Sequence, residues 1–205
     1  MKILAHMPVY FFMQDVVNAF LAMNKGFHEV NYLISFSSLC LASINKQELR
    51  HISPEGRRNL VYKMESARRL ATTEGYDYLF NVEHDNLVPE NALVDLVDSG
   101  KDLISGIYRY RPSRKLDTPL MPEKKKGVCF EDSDLNTGIQ AAYLIPWGCT
   151  LFSRDVFTQM PFTIGLDGDY TSQCEKAGIK RWVHTGVKVS HIDITEDGDM
   201  IEVKA

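Results

Sequence analysis

The sequence predicts an α/β domain built on a mostly parallel sheet, and three observations predict it. Strand-like and helix-like segments alternate through the first half of the chain. The helix-like segments close on single glycines, at Gly26, Gly75 and Gly100. The length of 205 residues and the apolar share of 44% suit one domain with a substantial core.

Taken in order, residues 3–5 open a short strand that ends in a turn over residues 6–10, and residues 16–23 form a helix stopped by Gly26. Residues 30–36 (VNYLISF) are rich in branched and aromatic side chains, as in a buried strand. Ser53-Pro54-Glu55 reads as a helix start, with Ser as cap and Pro in the first turn. Leu60, Val61, Met64, Ala67 and Leu70 then give that helix one apolar stripe. Residues 76–82 are a strand running into a group of carboxylates; Pro89 begins a helix, and residues 103–108 form the next strand. Such alternation points to βαβ units, whose ligands bind beyond the carboxyl ends of the strands. Residues 83–86 and the turn at 6–10 lie at that edge.

The second half is less regular. Residues 109–134 hold three prolines and Lys124-Lys125-Lys126, and a polar stretch of this length is expected to be a lid or a flexible loop. Strands are expected at 138–145, 150–153, 181–183 and 187–190, and a helix at 169–177 ended by Gly178. The organisation expected is one domain: a ligand-binding half at 1–108, the lid at 109–134, and a second half at 135–205.

A net charge of −4 argues against a nucleic-acid binder, whose affinity rests on neutralising phosphates. Cys40, Cys129, Cys149 and Cys174 are widely spaced, which excludes a zinc finger and suits buried thiols. The N-terminal MKILAHMPVYFF is broken by His6 and Pro8 and lacks a cleavage site, and no apolar run is long enough to span a bilayer. A cytoplasmic protein with at most peripheral membrane contact is expected.

The stretch YDYLFNVEHDNLVPENAL carries the chemistry. On an extended chain residues i and i+2 share a side, so Glu83 and Asp85 face one ligand, with His84 pointing away. Carboxylate oxygens suit Mg²⁺ or Mn²⁺, often with phosphate completing the shell. Solvated turn residues at a strand exit would give the same letters. Of the other histidines, His28 and His51 read as loop residues, His184 as part of a hairpin turn, and His6 as structural.

In fuller context the chain resembles glycosyltransferases of the GT-A fold, particularly the inverting family 2 and its small stand-alone relatives. The resemblance rests on Arg58-Asn59, the helix to Gly75, Tyr76-Asp77, Glu83-His84-Asp85 and Pro89, then the strand at 103–108. It resumes with Trp147-Gly148-Cys149 and the strand and helix that follow, with Leu166-Asp167-Gly168-Asp169-Tyr170, with Ala177-Gly178, and with Val189-Ser190-His191. Two departures stand out: Glu83 replaces the usual first Asp of D-x-D, and Leu166 replaces the acid before the catalytic aspartate.

The resemblance implies a Rossmann-like sheet with helices on both faces and a smaller C-terminal acceptor-side portion. It implies Mn²⁺ or Mg²⁺ held by Glu83, Asp85 and His191. A nucleoside-diphosphate sugar would lie along Pro8, Tyr10, Arg58, Asn59, Glu83, His84 and Asp85. Asp167 would be the catalytic base, with Asp169 its runner-up, and the acceptor a glycan, protein or lipid hydroxyl. The basic residues Arg109, Arg111, Arg114, Lys115 and Lys124 to Lys126 would either close over the donor or form a solvated loop. Three alternatives fit parts of the pattern: a nucleotidyltransferase acting on a sugar phosphate, a metal-dependent hydrolase or nuclease, and a non-catalytic nucleotide- or carbohydrate-binding module.

Overall fold

A computed structural model describes residues 1–9, 14–36, 54–107, 130, 132–194 and 200–204. The chain runs β1 (Lys2–Val9), α1 (Gln14–Ala22), β2 (Glu29–Phe36), α2 (Pro54–Thr73), β3 (Tyr78–Val82), β4 (Asn86–Leu87), α3 (Ala92–Asp98) and β5 (Leu103–Ile107). It continues with β6 (Ile139–Ala141), β7 (Cys149–Ser153), α4 (Arg154–Gln159), α5 (Leu166–Ala177), β8 (Trp182–Lys188), β9 (Ser190–Ile194) and β10 (Met200–Val203). A single 3₁₀ turn at Asp132–Asp134 precedes β6.

Seven strands form one sheet in the order β2-β1-β3-β7-β5-β8-β6. β2, β1 and β3 are mutually parallel, as are β5 and β8. β7 is inserted antiparallel between β3 and β5, and β6 runs antiparallel at the edge. Strands β1, β5 and β7 are buried almost throughout, because helices cover both faces. Alternation sorts their side chains. Ile3, Ala5, Met7 and Val9 of β1 pack with Phe80, Leu151 and the inner faces of α1 and α3. Leu4 faces the other way, with Leu79, Phe152 and the apolar stripes of α2, α4 and α5. This is the α/β, two-faced architecture expected, with one antiparallel strand set inside a mostly parallel sheet.

Several expectations need correction. The stripe of α2 runs Leu60, Met64, Ala67 and Ala71, all buried, while Leu70 is exposed; steps of three and four keep the first set on one side of a 3.6-residue helix. The strands expected at 181–183 and 187–190 are one strand, β8, followed by β9. His184 lies inside β8, paired with Ile139 and Gly106. What resembled a hairpin turn at Thr185-Gly186 is an irregularity, where the register with β5 jumps from Gly106–His184 to Ile107–Lys188.

A second sheet, β10-β9-β4, was not foreseen. Two-residue β4 is too short to show periodicity, and it exists only through pairing with β9. Cys149 and Cys174 are free buried thiols, each pushed up to about 12 by burial; Cys40 and Cys129 lie outside the described residues. Among the described residues no helix is long and apolar enough to cross a membrane.

Candidate functional site

Strand β3 stops at Val82, and the chain turns at once: the Asn86 amide donates to the Glu83 carbonyl at 3.1 Å. Glu83, His84 and Asp85 therefore occupy a β-turn rather than an extended strand, and the i, i+2 geometry expected for the two carboxylates does not apply. His84 is buried, while Glu83 and Asp85 are half-buried. The expectation that His84 faces away from its neighbours rested on strand alternation and loses its basis here.

The turn leads into β4, which pairs antiparallel with β9 in the register Asn86–His191 and Leu87–Ser190. The Ile192 amide donates to the Asp85 carbonyl at 2.7 Å and locks that register. As a result His191 Nε2 lies 4.0 Å from Asp85 Oδ1, with both side chains largely buried. Two residues more than a hundred positions apart are thus brought to one spot at the carboxyl edge of the sheet. A carboxylate oxygen beside an imidazole nitrogen is a donor pair that suits Mn²⁺. Among the described residues no group of three or more His, Cys, Asp or Glu is gathered as a metal cage. Such a pair fits an ion that completes its shell with phosphate oxygens and water.

The turn is buttressed by the segment ahead of β7. The Gly148 carbonyl accepts from the Glu83 amide at 2.9 Å and from Asn86 Nδ2 at 2.9 Å. Asn81 Nδ2 donates to the Trp147 carbonyl at 2.6 Å. The Trp147 ring packs edge-on against Phe162 and Tyr170, with centroids 4.9 and 6.0 Å away. Tyr170 belongs to α5, so Trp147 ties the carboxylate turn to the helix that begins at Leu166-Asp167. Each such aromatic burial contributes about 2–3 kcal/mol.

Asp167 and Asp169 both sit in the first turn of α5, Asp167 half-buried and Asp169 exposed. They differ in surroundings. The Asp169 carboxyl folds back over Gly165, where even a single Cβ would fall 1.9 Å from its Cγ, and accepts from Thr163 Oγ1 at 3.3 Å. The Asp169 carboxyl thus lies against the residues just ahead of its own helix. Leu166, just ahead of Asp167, has φ of +54°, a left-handed conformation uncommon outside glycine.

Across the sheet, β2, β1 and β3 carry a buried polar line. His6 Nδ1 is 2.9 Å from Asn81 Oδ1, and His6 Nε2 is 3.0 Å from Ser35 Oγ. Burial foremost holds His6 down to about 4, with the Asn81 hydrogen bond opposing and the nearby Lys63 charge reinforcing, so the ring is neutral at pH 7. Lys63 comes from the buried side of α2 and donates to the Val9 carbonyl at 2.6 Å; burial lowers it to about 8.

Pro8 is buried near the end of β1, in register with Ser35. Arg58 is exposed and Asn59 half-buried on the first turns of α2; among the described residues no hydrogen bond or ion pair ties Arg58 to the turn. Tyr10, Ser53, His51 and the basic residues Arg109, Arg111, Arg114, Lys115 and Lys124 to Lys126 lie outside the described residues. Sequence reasoning missed Lys63, Asn81 and Ser35. The signal for Lys63 was a lone charge amid the stripe Leu60, Met64, Ala67, and for Asn81 a lone amide in an apolar strand.

No protein-family profile matches the sequence, and no curated protein matches it. Among solved structures, A197 from STIV superposes with a TM-score of 0.64 over 98% of this chain and 94% of that one, at 15% identity. S. aureus TarS superposes with a TM-score of 0.46 over 90% of this chain and 35% of that one, at 10% identity, a similarity too slight to carry inference. The first shares the fold across nearly its whole length; at that identity it says nothing of chemistry.

Proposed function

We propose that the chain is a glycosyltransferase that moves a sugar from a nucleoside-diphosphate donor to an acceptor hydroxyl with inversion. The observation that supports this most is the meeting of Asp85 and His191 at the carboxyl edge of a GT-A-like sheet, imposed by the β4–β9 register. Asp85 and His191, with Glu83 from the same turn, would hold Mn²⁺ or Mg²⁺ against the donor diphosphate. When bound, the ion supplies charge neutralisation for the departing nucleoside diphosphate.

The protein's own residues do the rest. Trp147 and Gly148 hold the turn in place and form the floor between it and α5. Asp167 accepts the proton of the acceptor hydroxyl as that oxygen bonds to the anomeric carbon and the bond to the diphosphate oxygen breaks. General base catalysis of this kind contributes about 10²–10⁴-fold. Asp169 is held over Gly165 by its contact with Thr163, which leaves Asp167 the better placed of the two.

Asp167→Asn is expected to keep donor binding, measured calorimetrically, while transfer falls at least about 100-fold. Turnover near that of the parent would remove Asp167 as base. A nucleotide-binding module without turnover is the second reading, favoured by Leu166 in place of the family's acid and by a donor pair rather than a full cage among the described residues. Nucleotide binding with no acceptor-stimulated release of nucleoside diphosphate would decide for it.

A further inference from the structure

Strand β5 ends against an irregularity that lies between the two halves of the candidate cation site. Gly106 of β5 is opposite His184 and the next residue, Ile107, is opposite Lys188, so Thr185, Gly186 and Val187 have no counterparts on β5. Past that excursion the Val189 amide donates to the Ile107 carbonyl at 2.8 Å, and β9 begins at Ser190. His191 is thus two residues beyond a hydrogen bond that ties the chain to β5. Gly106 is buried and its φ is not positive, so the position demands room rather than a special conformation. A Cβ there would fall 2.9 Å from the Val187 carbonyl oxygen, 3.0 Å from Val187 Cγ1 and 3.0 Å from Val189 Cγ2. Non-bonded atoms settle at about 3.5–4.0 Å, so each contact would be short by about half an ångström or more.

Both valines are buried in the core that α1 and α3 cover, where packed methyls have little space to retreat. β5 is paired on both sides, with β7 through Leu103, Ile104 and Ser105 and with β8, and yields least. The unpaired excursion of β8 gives way more readily, and it runs directly into β9. Gly106 also reaches the other half of the site. Its backbone N–H hydrogen-bonds the Cys149 thiol, and Cys149 pairs with Val82 and follows the Gly148 that holds the carboxylate turn. We propose that Gly106 is a positioning residue for the cation: having no side chain, it lets Val187 and Val189 close onto β5 and so sets His191 within reach of Asp85. A side chain there pushes the chain ahead of His191 outward, while Asp85 stays with β3 and β7. The inference rests on the reading of Asp85 and His191 as cation ligands; Gly106 acts through the chain and touches no ligand.

The test is calorimetric titration of Mn²⁺ into the protein with UDP, and separately GDP, present. Gly106→Ala should weaken Mn²⁺ binding by about tenfold or more, the loss typical of disturbing groups that orient a metal ligand. Met64→Ala opens a cavity on the opposite face of the sheet from Val187 and Val189. It should lose stability in a urea melt yet bind Mn²⁺ within about threefold of the parent. Gly106→Ala/Val189→Ala removes one crowded methyl and eases folding, but the Val187 carbonyl is backbone and stays. That chain should still bind Mn²⁺ more weakly than Val189→Ala alone. Affinity in Gly106→Ala within about threefold of the parent's, a double variant no weaker than Val189→Ala, or an equal loss in Met64→Ala overturns the assignment and leaves the cation site standing. No Mn²⁺ binding by the parent with either nucleotide overturns both.

Discussion

At the residue scale, His6 shows how one buried ring makes stability depend on pH. Its folded-state value of about 4 lies below its ordinary 6.5, so between these values the unfolded chain binds the proton more readily. The stabilisation is whole above pH 6.5 and is lost as pH falls through 4, an effect of about 3 kcal/mol. Urea unfolding of His6→Gln at pH 7 and pH 4.5 should therefore show a pH-dependent loss smaller than the parent's by about 2–3 kcal/mol. An unchanged loss would mean that the ring protonates equally in both states. Asp167 and Asp169 make a second residue-scale contrast. The sequence names Asp167 first and Asp169 second on the strength of the resemblance, and the structure separates their surroundings: Asp167 is half-buried, while the exposed Asp169 carboxyl folds back over Gly165.

At the scale of elements, the carboxylate turn owes its position to hydrogen bonds from the segment before β7. Asn81→Ala strands both the Trp147 carbonyl and His6 Nδ1 in the interior and should cost about 2–4 kcal/mol. Asn86→Ala removes one bond to a Gly148 carbonyl that keeps the Glu83 amide, and should cost about 1 kcal/mol. Denaturant melts of the two variants should rank them in that order; the reverse order would mean that the turn, not the Asn81 bridge, bears the strain. Elements were legible where periodicity is long. The α2 stripe and the runs of β2 and β3 were readable as letters, although Leu70 was misplaced on the wrong side of the stripe and β2, expected to be buried, is a half-exposed edge strand. β4 and β9 were not, because a two-residue strand has no period and its pairing is set by tertiary register. For the same reason, strand alternation does not carry over to Glu83 and His84, since nothing local announces that the chain turns as soon as β3 ends at Val82.

At the scale of the whole molecule, the α/β class and the place of the carboxylate turn at the carboxyl end of β3 followed from the alternation of elements. The insertion of β7 did not, because antiparallel entry between β3 and β5 is set by tertiary pairing rather than by any local signal. The pairings of β7 with β3 and of β9 with β4 nevertheless explain what surrounds the carboxylate turn. β7 brings Trp147-Gly148 against the end of β3, and β9 brings His191 against Asp85. The most direct measurement of the central claim is calorimetric titration of a nucleoside diphosphate into the protein and into Asp85→Ala, each with and without Mn²⁺. Binding by the parent that requires Mn²⁺ and vanishes in Asp85→Ala is the predicted result. Equal binding by both proteins irrespective of Mn²⁺, or none by the parent, would contradict it.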